Sequence, residues 1–362
     1  MRVRLFKNDY FCVMIQNEEK YMRRALQLAL QGRGHVSPNP MVGAVIVDDN
    51  GTIVGEGWHR KYGEGHAEVN AVNSVSNKEE LRESTIYVTL EPCSHYGKTP
   101  PCARLLIDVG VKRVVVGVLD PFPQVSGRGV AMLREAGIEV EVGMLEDECR
   151  WLNRRFMKAH STGLPWVQLK WAETADGYLS APPEFDENPL RMSSPVTMCL
   201  MHRERAVSDA IVVGANTVKA DNPSLTTRYW PGGSALRVVL DAHLSMPCES
   251  RVLTDGGATV VYNLMKNSKE GKVDYVQLPT CSPEEWLRDL YGRGVTSVMV
   301  EGGGNVLAQL LEYDVWDEIR REVSPRMIHG GVSAPVLTIQ PQEIEKIGKN
   351  EVLIYRREVK KV

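Results

Sequence analysis

The sequence predicts an α/β protein with two domains. Its 362 residues exceed the usual size of a single hydrophobic core. Strand-like and helix-like segments alternate along most of the chain, which is typical of sheets covered by helices on both faces. A loop-like stretch, "HSTGLP" at 160–165, separates two such alternating units. We therefore expect one domain over residues 16–160 and a second over residues 161–362.

The first unit is expected to begin with a helix that Asn17 caps and Gly32 ends. A β-hairpin follows, because two apolar runs flank a turn that ends in Asn50-Gly51. The remaining segments are, in order, a helix "HAEVNAVNSV", a strand "STIYVTL", a helix "PPCARLLIDVG", a strand "VKRVVVGVL", a helix "GRGVAMLREAG", a strand "IEVEV" and one last helix "EDECRWLNRRFMKAHSTG".

The second unit repeats the alternation of strands and helices. The predicted strands are "WVQLKWA", "AIVVG", "RVVLD", "ATVVY", "DYVQL", "SVMVE" and "EVLIYRREV", and the predicted helices include "SPVTMCLMHRERA" and "PEEWLRDLYGRG". The stretch "SAPPEFDENPLRMS" is rich in proline and acidic residues. It is therefore expected to be a loop over a site.

Composition limits the classes of function. The chain has 43 Lys and Arg against 46 Asp and Glu, so a large nucleic-acid surface is not expected. No apolar run approaches the roughly 18 residues of a membrane span, and the N-terminal residues lack the apolar core of a signal peptide. We expect a short leader and a cytoplasmic protein without membrane contact. The seven cysteines are an odd, dispersed set, which argues against a disulfide framework.

Three residues of the first unit could together bind a metal ion. His66 opens a predicted helix, Cys93 ends a predicted strand, and Cys102 follows eight residues after Cys93. One imidazole and two thiolates form the three-ligand set of a catalytic zinc whose fourth position holds water. Glu68 lies two residues beyond His66, where it can act as a general acid and base without binding the metal.

This pattern matches a known signature only in part. Zinc deaminases carry H-x-E followed by P-C-x-x-C. The present chain has H-x-E and P-C, but eight residues rather than two separate its cysteines. A disulfide between Cys93 and Cys102 is the main competing interpretation, although it leaves His66 and Glu68 unexplained.

The long spacing is a feature of one deaminase family. "TLEPCSHYGKTPPC", with "SPNPMVGAVIV", "GWHRKYGEGHAE", "GVKRVVVGVLDP" and "VSGRGVAMLREAGI", resembles the deaminase of riboflavin biosynthesis over residues 17–150. The resemblance implies a cytidine-deaminase-like three-layer sandwich, one Zn²⁺ and a small phosphoribosylaminopyrimidine substrate. It also implies substrate-binding roles for Asn39, His59, His95, Lys98 and Asp120. Phe122 occupies the position where the family usually has an asparagine.

A glycine cluster marks the second unit. Gly302, Gly303 and Gly304 lie between a predicted strand and a predicted helix. Backbone amides at such a turn form an anion site suited to a pyrophosphate, although glycine turns of this kind also serve packing alone. The turn does not follow the G-x-G-x-x-G pattern.

Other stretches of the second unit resemble a reductase domain fused to this deaminase in bifunctional enzymes. They are "LKWAETADGYLS", "RERAVSDAIVVGANTVKADNPSLTTR", "RVVLD" and "VEGGGNVLAQLL", within residues 165–362. The resemblance implies a dihydrofolate-reductase-like fold that uses NADPH. The implied cofactor-binding residues are Ala172, Thr217, Asp221, Gly303, Gly304, Asn305, Val306, Leu307, Ala308 and Gln309. The implied substrate-binding residues are Lys170, Arg205, Leu225, Arg228 and Glu301.

The implied roles leave some alternatives open. Two arginines suit a 5-phosphate, yet Arg205 also fits a solvated helix face and Leu225 a core position. Arg191 and Ala242 depart from residues frequent in the family, an aromatic and a serine. Lys170 is expected to act electrostatically, favouring the open-chain sugar.

The sequence thus predicts a bifunctional enzyme of riboflavin biosynthesis, a zinc-dependent deaminase joined to an NADPH-dependent reductase. One alternative is a monofunctional deaminase whose second half only binds or oligomerises. Another is a nucleic-acid-editing deaminase, but it would need a basic surface and the two-residue cysteine spacing. The sequence leaves a homo-oligomer open.

Overall fold

The computed structural model of the chain describes residues 6–95, 100–122, 126–182, 184–185 and 190–357, with side chains from residue 18 onward. The chain divides into two compact units, Met1–Thr162 and Gly163–Val362. Each unit has its own sheet and its own hydrophobic core.

Unit 1 contains a five-stranded sheet and six α-helices within its described residues. In chain order the elements are α1 (Phe6–Ala29), β1 (Gly43–Val47), β2 (Ile53–Trp58), α2 (Ala67–Ser74), β3 (Thr85–Leu90), α3 (Cys102–Val109), β4 (Arg113–Val118), α4 (Arg128–Glu135), β5 (Glu139–Val142), α5 (Glu146–Leu152) and α6 (Arg154–Thr162). The strand order is β2-β1-β3-β4-β5. Strand β1 runs antiparallel to β2 and β3, and β3, β4 and β5 are parallel.

Helices cover both faces of this sheet. Apolar residues of α1, α5 and α6 pack on one face, and those of α2, α3 and α4 pack on the other. Strand β1 is buried along its whole length, as expected for a strand with both faces covered. The three-layer sandwich predicted from the sequence is therefore confirmed. The carboxyl ends of β3 and β4 point to the same edge of the sheet, where the loops after both strands meet.

Two helix predictions in this unit were wrong. Helix α1 begins at Phe6, so Asn17 lies inside the helix and does not cap it. The predicted last helix is two helices, because α5 ends before Asn153 and α6 begins after it. The Asn153 side chain accepts a hydrogen bond from Met41 N at 2.9 Å and donates one to Met41 O at 2.8 Å. These bonds tie the break between the helices to the loop before β1.

Unit 2 contains a ten-stranded sheet and a separate two-stranded one. Its elements are β6 (Trp166–Thr174), β7 (Tyr178–Ser180), α7 (Pro195–Ala206), β8 (Ala210–Gly214), α8 (Ala215–Asp221), β9 (Leu236–Leu240), α9 (Arg251–Thr254), β10 (Thr259–Asn263), β11 (Ser268–Glu270), β12 (Val273–Gln277), α10 (Pro283–Gly292), β13 (Ser297–Val300), α11 (Gly304–Glu312), β14 (Glu318–Ser324), β15 (Val332–Ser333), β16 (Glu343–Ile347) and β17 (Asn350–Arg356). The strand order of the large sheet is β11-β12-β10-β9-β8-β13-β6-β14-β17-β16.

The centre of the large sheet is parallel. All of the predicted strands lie in the large sheet, and β17 among them is antiparallel to its neighbour β14. Strands β12, β10, β9, β8, β13, β6 and β14 run in one direction. Strand β14 was missed by the sequence analysis although it lies between β6 and β17. The carboxyl ends of β8, β13 and β6 form one edge, the place where ligands bind in open α/β sheets.

The described residues of both units include no helix with the length and apolarity that crossing a bilayer requires. The predicted loop "SAPPEFDENPLRMS" begins at the last residue of β7, Ser180, and its other described residues form no helix or strand; residues 183 and 186–189 lie outside the described residues.

Candidate active sites

His66, Cys93 and Cys102 converge in unit 1. The His66 Nδ1 atom lies 3.6 Å from Cys93 Sγ and 3.3 Å from Cys102 Sγ. His66 is the residue that precedes helix α2, Cys93 follows strand β3, and Cys102 begins helix α3. All three ligand atoms lie within 4.8 Å of one another. Both cysteines carry free thiols, so the competing interpretation of a disulfide was wrong.

The donor set and its spacing fit a zinc ion. Tetrahedral zinc with N and S ligands at about 2.1 and 2.3 Å places those ligand atoms roughly 3.6 Å apart. The observed separations of the nitrogen from the two sulfurs are close to that value. The backbone N–H of Cys102 also donates to Cys93 Sγ at 3.2 Å, as helix N-termini do for thiolates.

The electrostatics of the cluster favour a thiolate at Cys93. Hydrogen bonds from Cys102 make the largest contribution and a hydrogen bond from the His66 imidazole a smaller one. Together they lower the pKa of Cys93 to about 4. The hydrogen bond from the Cys102 thiol to Cys93 keeps the proton on Cys102 and, together with burial, raises the pKa of Cys102. The hydrogen bond with Cys93 also raises the pKa of His66. The lowered pKa of Cys93 favours its thiolate, which is the form that binds a metal.

Glu68 lies in the first turn of α2, beside the cluster but outside its ligand set. Its side chain is buried, and this burial, reinforced by the charge on Cys93, raises the pKa of Glu68 to about 7. A carboxyl group with a pKa near the working pH can both accept and deliver a proton.

The predicted substrate residues of unit 1 fall into two groups. Asn39 and His59 contact each other, with Asn39 Nδ2 3.3 Å from His59 Nε2, and the His59 ring packs edge-on against the His66 ring. On the loops after β3 and β4, His95 is exposed and Asp120 is partly buried. Burial raises the pKa of Asp120, partly offset by a hydrogen bond from Phe122 N. Lys98 lies outside the described residues.

The glycine turn of unit 2 lies at the carboxyl end of β13 and leads into α11. Gly303 has φ +72°, a conformation that favours glycine. A Cβ atom at Gly302 or Gly303 would lie 3.1 or 3.0 Å from the Thr217 hydroxyl oxygen on α8. The bare backbone therefore keeps the space beside Thr217 open. This cradle and the backbone amides at the start of α11 fit the pyrophosphate of a dinucleotide.

Lys170, Arg205 and Glu301 gather next to that turn. The carboxylate of Glu301 accepts two hydrogen bonds from Arg205, each 2.5 Å long, and Arg205 also donates to Thr226 O at 3.0 Å. Burial opposes ionisation of Glu301, but the charges of Arg205 and Lys170 lower its pKa. Arg205 is buried, so a solvated helix face was the wrong alternative for it.

The remaining predicted residues of unit 2 differ in exposure. Leu225 is buried in the core with φ +52°, which agrees with its alternative as a core residue. Leu307 is also fully buried, so only its backbone faces the turn. Arg228 is exposed, and its backbone N–H donates to His202 Nδ1 at 3.0 Å. Among the other predicted positions, Val306 is buried. The rest are exposed or partly exposed: Ala172, Asp221, Gly304, Asn305, Ala308 and Gln309.

The sequence analysis missed the acids that support these sites. Glu322 on β14 lies 3.8 Å from Lys170 Nζ and accepts hydrogen bonds from Ser193 Oγ and Asn350 Nδ2. No motif marks Glu322, because the strand that carries it was itself not predicted. Glu91 precedes Pro92-Cys93 within the quoted deaminase motif, and its position there was the available signal.

Comparisons with known proteins cover both units. Residues 15–118 match the model of the cytidine and deoxycytidylate deaminase zinc-binding region, and residues 165–356 match the RibD C-terminal domain. The riboflavin biosynthesis protein RibD of Aquifex aeolicus is 37% identical over 356 residues, covering 94% of this chain and 98% of that protein. The RibD protein of Bacillus amyloliquefaciens is 41% identical over 337 residues, covering 88% and 87%. The chain belongs to the RibD family.

A solved RibD structure agrees with this membership. The crystal structure of a diaminohydroxyphosphoribosylaminopyrimidine deaminase/5-amino-6-(5-phosphoribosylamino)uracil reductase from Thermotoga maritima aligns with a TM-score of 0.84 at 35% identity. The alignment covers 95% of this chain and 99% of that one. The predicted family and fold class are thus confirmed, including the second domain. A purely non-catalytic second half is not favoured, because the RibD C-terminal model matches that half.

Proposed function

We propose that unit 1 is the zinc deaminase and unit 2 the NADPH-dependent reductase of one bifunctional enzyme. As a RibD protein, the chain acts in riboflavin biosynthesis. It deaminates 2,5-diamino-6-(5-phosphoribosylamino)pyrimidin-4-one by hydrolysis and then reduces the ribosyl group to ribityl with NADPH. The convergence of His66, Cys93 and Cys102 beside the buried Glu68 is the observation that carries this proposal.

In the deamination, His66, Cys93 and Cys102 hold the zinc ion. Zinc supplies a nucleophile at neutral pH by lowering the pKa of a bound water. Glu68 would take a proton from the attacking water and pass it to the leaving amino nitrogen, so that ammonia departs. Burial of Glu68 suits this role, because a raised pKa lets the carboxyl hold the proton between the two steps.

The pyrimidine and its phosphoribosyl group are held by residues around the cluster. Asn39 and His59 orient the ring, since they lie together beside His66. His95 and Asp120, on the loops after β3 and β4, contact the remainder of the substrate. Lys98, outside the described residues, is proposed as a further contact on the resemblance alone.

In the reduction, residues at the carboxyl edge of β8, β13 and β6 would hold NADPH, which would supply a hydride when bound. Gly303, Gly304 and the start of α11 hold its pyrophosphate, with Thr217 beside them. The other cofactor contacts are Ala172, Asp221, Asn305, Val306, Leu307, Ala308 and Gln309. Lys170, beside Glu322 and Glu301, stabilises the open-chain sugar. Arg228 binds the 5-phosphate, because its exposed guanidinium can present a fork to the anion.

Two assays on one preparation test this proposal. The purified chain should contain about one zinc per chain, release ammonia from the diaminopyrimidinone, and then oxidise NADPH when given the deaminated product. Ammonia release without NADPH oxidation would leave a monofunctional deaminase. A preparation that binds zinc but does neither would refute the function.

The cytoplasm is the expected compartment. The free thiols of unit 1 and the requirement for NADPH both suit a reducing environment. Assembly into a homo-oligomer stays a prediction.

A further inference from the structure

Glu91 is a buried carboxylate that accepts four hydrogen bonds from backbone N–H groups. Its Oε1 atom accepts hydrogen bonds from Gly129 N at 2.9 Å and Val130 N at 3.2 Å. Its Oε2 atom accepts from Gly127 N at 2.9 Å and Asp120 N at 3.2 Å. The side chain of Glu91 is 5% exposed. One carboxylate therefore joins the loop after β4 to the first turn of α4.

The four N–H donors require a hydrogen-bond acceptor at both Oε1 and Oε2 of residue 91. An ionised carboxylate offers two acceptor oxygens, whereas an amide offers one acceptor and one donor. A glutamine at position 91 would turn its NH₂ group toward two N–H donors whichever way it flipped. Buried donors left without acceptors are costly, so the position discriminates between Glu and Gln, which have nearly the same shape.

A second contact fixes the same elements to the metal loop. Gly129 packs directly on the backbone of Pro92, and a Cβ atom at position 129 would overlap the Pro92 carbonyl oxygen. Glu91 N also donates to Val118 O at 2.9 Å, which ties the ends of β3 and β4 together. Glu91, Pro92 and the ligand Cys93 are consecutive, so the hydrogen bonds of Glu91 set the distance between the metal loop and the Asp120 turn.

We infer that Glu91 is a positioning residue that holds Asp120 at a fixed place relative to the metal cluster. The inference rests on the proposed function, in which Asp120 contacts the deaminase substrate. The metal loop itself is held by other bonds, since Cys102 N donates to Cys93 Sγ and Ala103 N to Cys93 O. Loss of the Glu91 bonds should therefore move Asp120 more than the zinc ligands.

The test compares Glu91→Gln with the wild-type enzyme in both assays. We expect the variant to keep its zinc and its NADPH oxidation, and to raise the KM for deamination about tenfold with a smaller change in kcat. Glu91→Asp keeps two acceptor oxygens, so its KM for deamination should lie between those of the wild-type enzyme and Glu91→Gln. Glu135→Gln, at the exposed end of the same helix α4, is the matched control and should behave as wild type.

A double-mutant cycle separates positioning from simple stability. If Glu91 acts through Asp120, Glu91→Gln should add little to the KM of an Asp120→Ala enzyme. An equal rise of KM in both backgrounds would overturn the inference, and so would loss of zinc or an unchanged KM. Absence of ammonia release from the wild-type enzyme would instead refute the proposed function.

Discussion

The guanidinium of Arg205 and the carboxylate of Glu301 form a buried, bidentate ion pair at the carboxyl edge of the unit 2 sheet. Arg205 comes from helix α7 and Glu301 from the residue after β13, so the pair joins a helix to the sheet beside the glycine turn. Arg205 uses its Nε and one Nη on Glu301 and the other Nη on Thr226 O. Each guanidinium nitrogen of Arg205 thus already donates a hydrogen bond within the protein, which leaves Arg228 as the better candidate for binding the 5-phosphate.

Breaking the Arg205–Glu301 pair should destabilise unit 2. Glu301→Gln leaves a buried guanidinium without its counter-charge, and such losses cost about 3–5 kcal/mol. Calorimetry of the variant should show the unit 2 transition at lower temperature. The control is Glu284→Gln, whose partner Arg288 is exposed and whose loss should cost about 1 kcal/mol or less. Equal shifts of the transition temperature for the two variants would mean that the buried pair stabilises unit 2 no more than an exposed pair does.

Arg228→Ala should weaken binding of the phosphorylated substrate far more than binding of NADPH. An exposed arginine that forms a bidentate contact with a phosphate contributes about 1.5–3 kcal/mol, so the KM for the substrate should rise at least tenfold. The KM for NADPH should stay within about twofold of wild type. Arg288→Ala removes an equal charge from α10 and is the matched control. A similar rise in both KM values would exclude a dedicated phosphate contact.

Glu68→Gln should abolish ammonia release while the chain keeps its zinc. The amide has the shape of the acid but cannot carry the proton from water to the leaving nitrogen, and loss of such transfer typically costs about 10²–10⁴ in rate. Elemental analysis should find unchanged zinc, because Glu68 is outside the ligand set. NADPH oxidation with the deaminated product is the internal control. Loss of both activities would contradict separate sites.

The sequence predicted the elements that are built from apolar residues and missed those that are built from charges. Strand β14 has the sequence "EIRREVS", so it lacks the apolar run of a buried parallel strand. Its acids are buried all the same: Glu318 accepts from Gln168 and Arg320, and Glu322 from Ser193 and Asn350. Gln168, Ser193 and Asn350 come from distant parts of the chain, so no local pattern reveals these hydrogen bonds.

The same distinction holds for the two sites. The zinc ligands could be predicted because their residue types are rare and their spacing is characteristic of a deaminase. The tie between Asn153 and Met41 and the bonds of Glu91 could not, since they depend on backbone groups that the fold brings near. The helix break at Asn153 was missed for the same reason.

His202 should make the stability of unit 2 depend on pH. Its ring is buried, Nδ1 accepts from Arg228 N, and Nε2 has no hydrogen-bond partner among the described residues. Burial, and then the charges of Arg205 and Arg228, lower the pKa of His202 from 6.5 to about 4. The unfolded chain therefore binds the proton first as the pH falls. The stabilisation is complete above about pH 6.5 and is lost progressively toward pH 4.

At pH 5.5 this linkage amounts to about 1 kcal/mol for unit 2. His202→Asn removes it, because the Asn side-chain oxygen can replace Nδ1 as an acceptor but does not titrate in this range. Calorimetry at pH 7.5 and 5.5 should show a smaller drop in the unit 2 transition for the variant than for wild type. His243→Asn removes an exposed imidazole of the same unit and should leave the wild-type drop unchanged. Identical pH dependence in wild type and His202→Asn would show that His202 takes up its proton equally well in the folded chain, and that the two arginines do not suppress its charge.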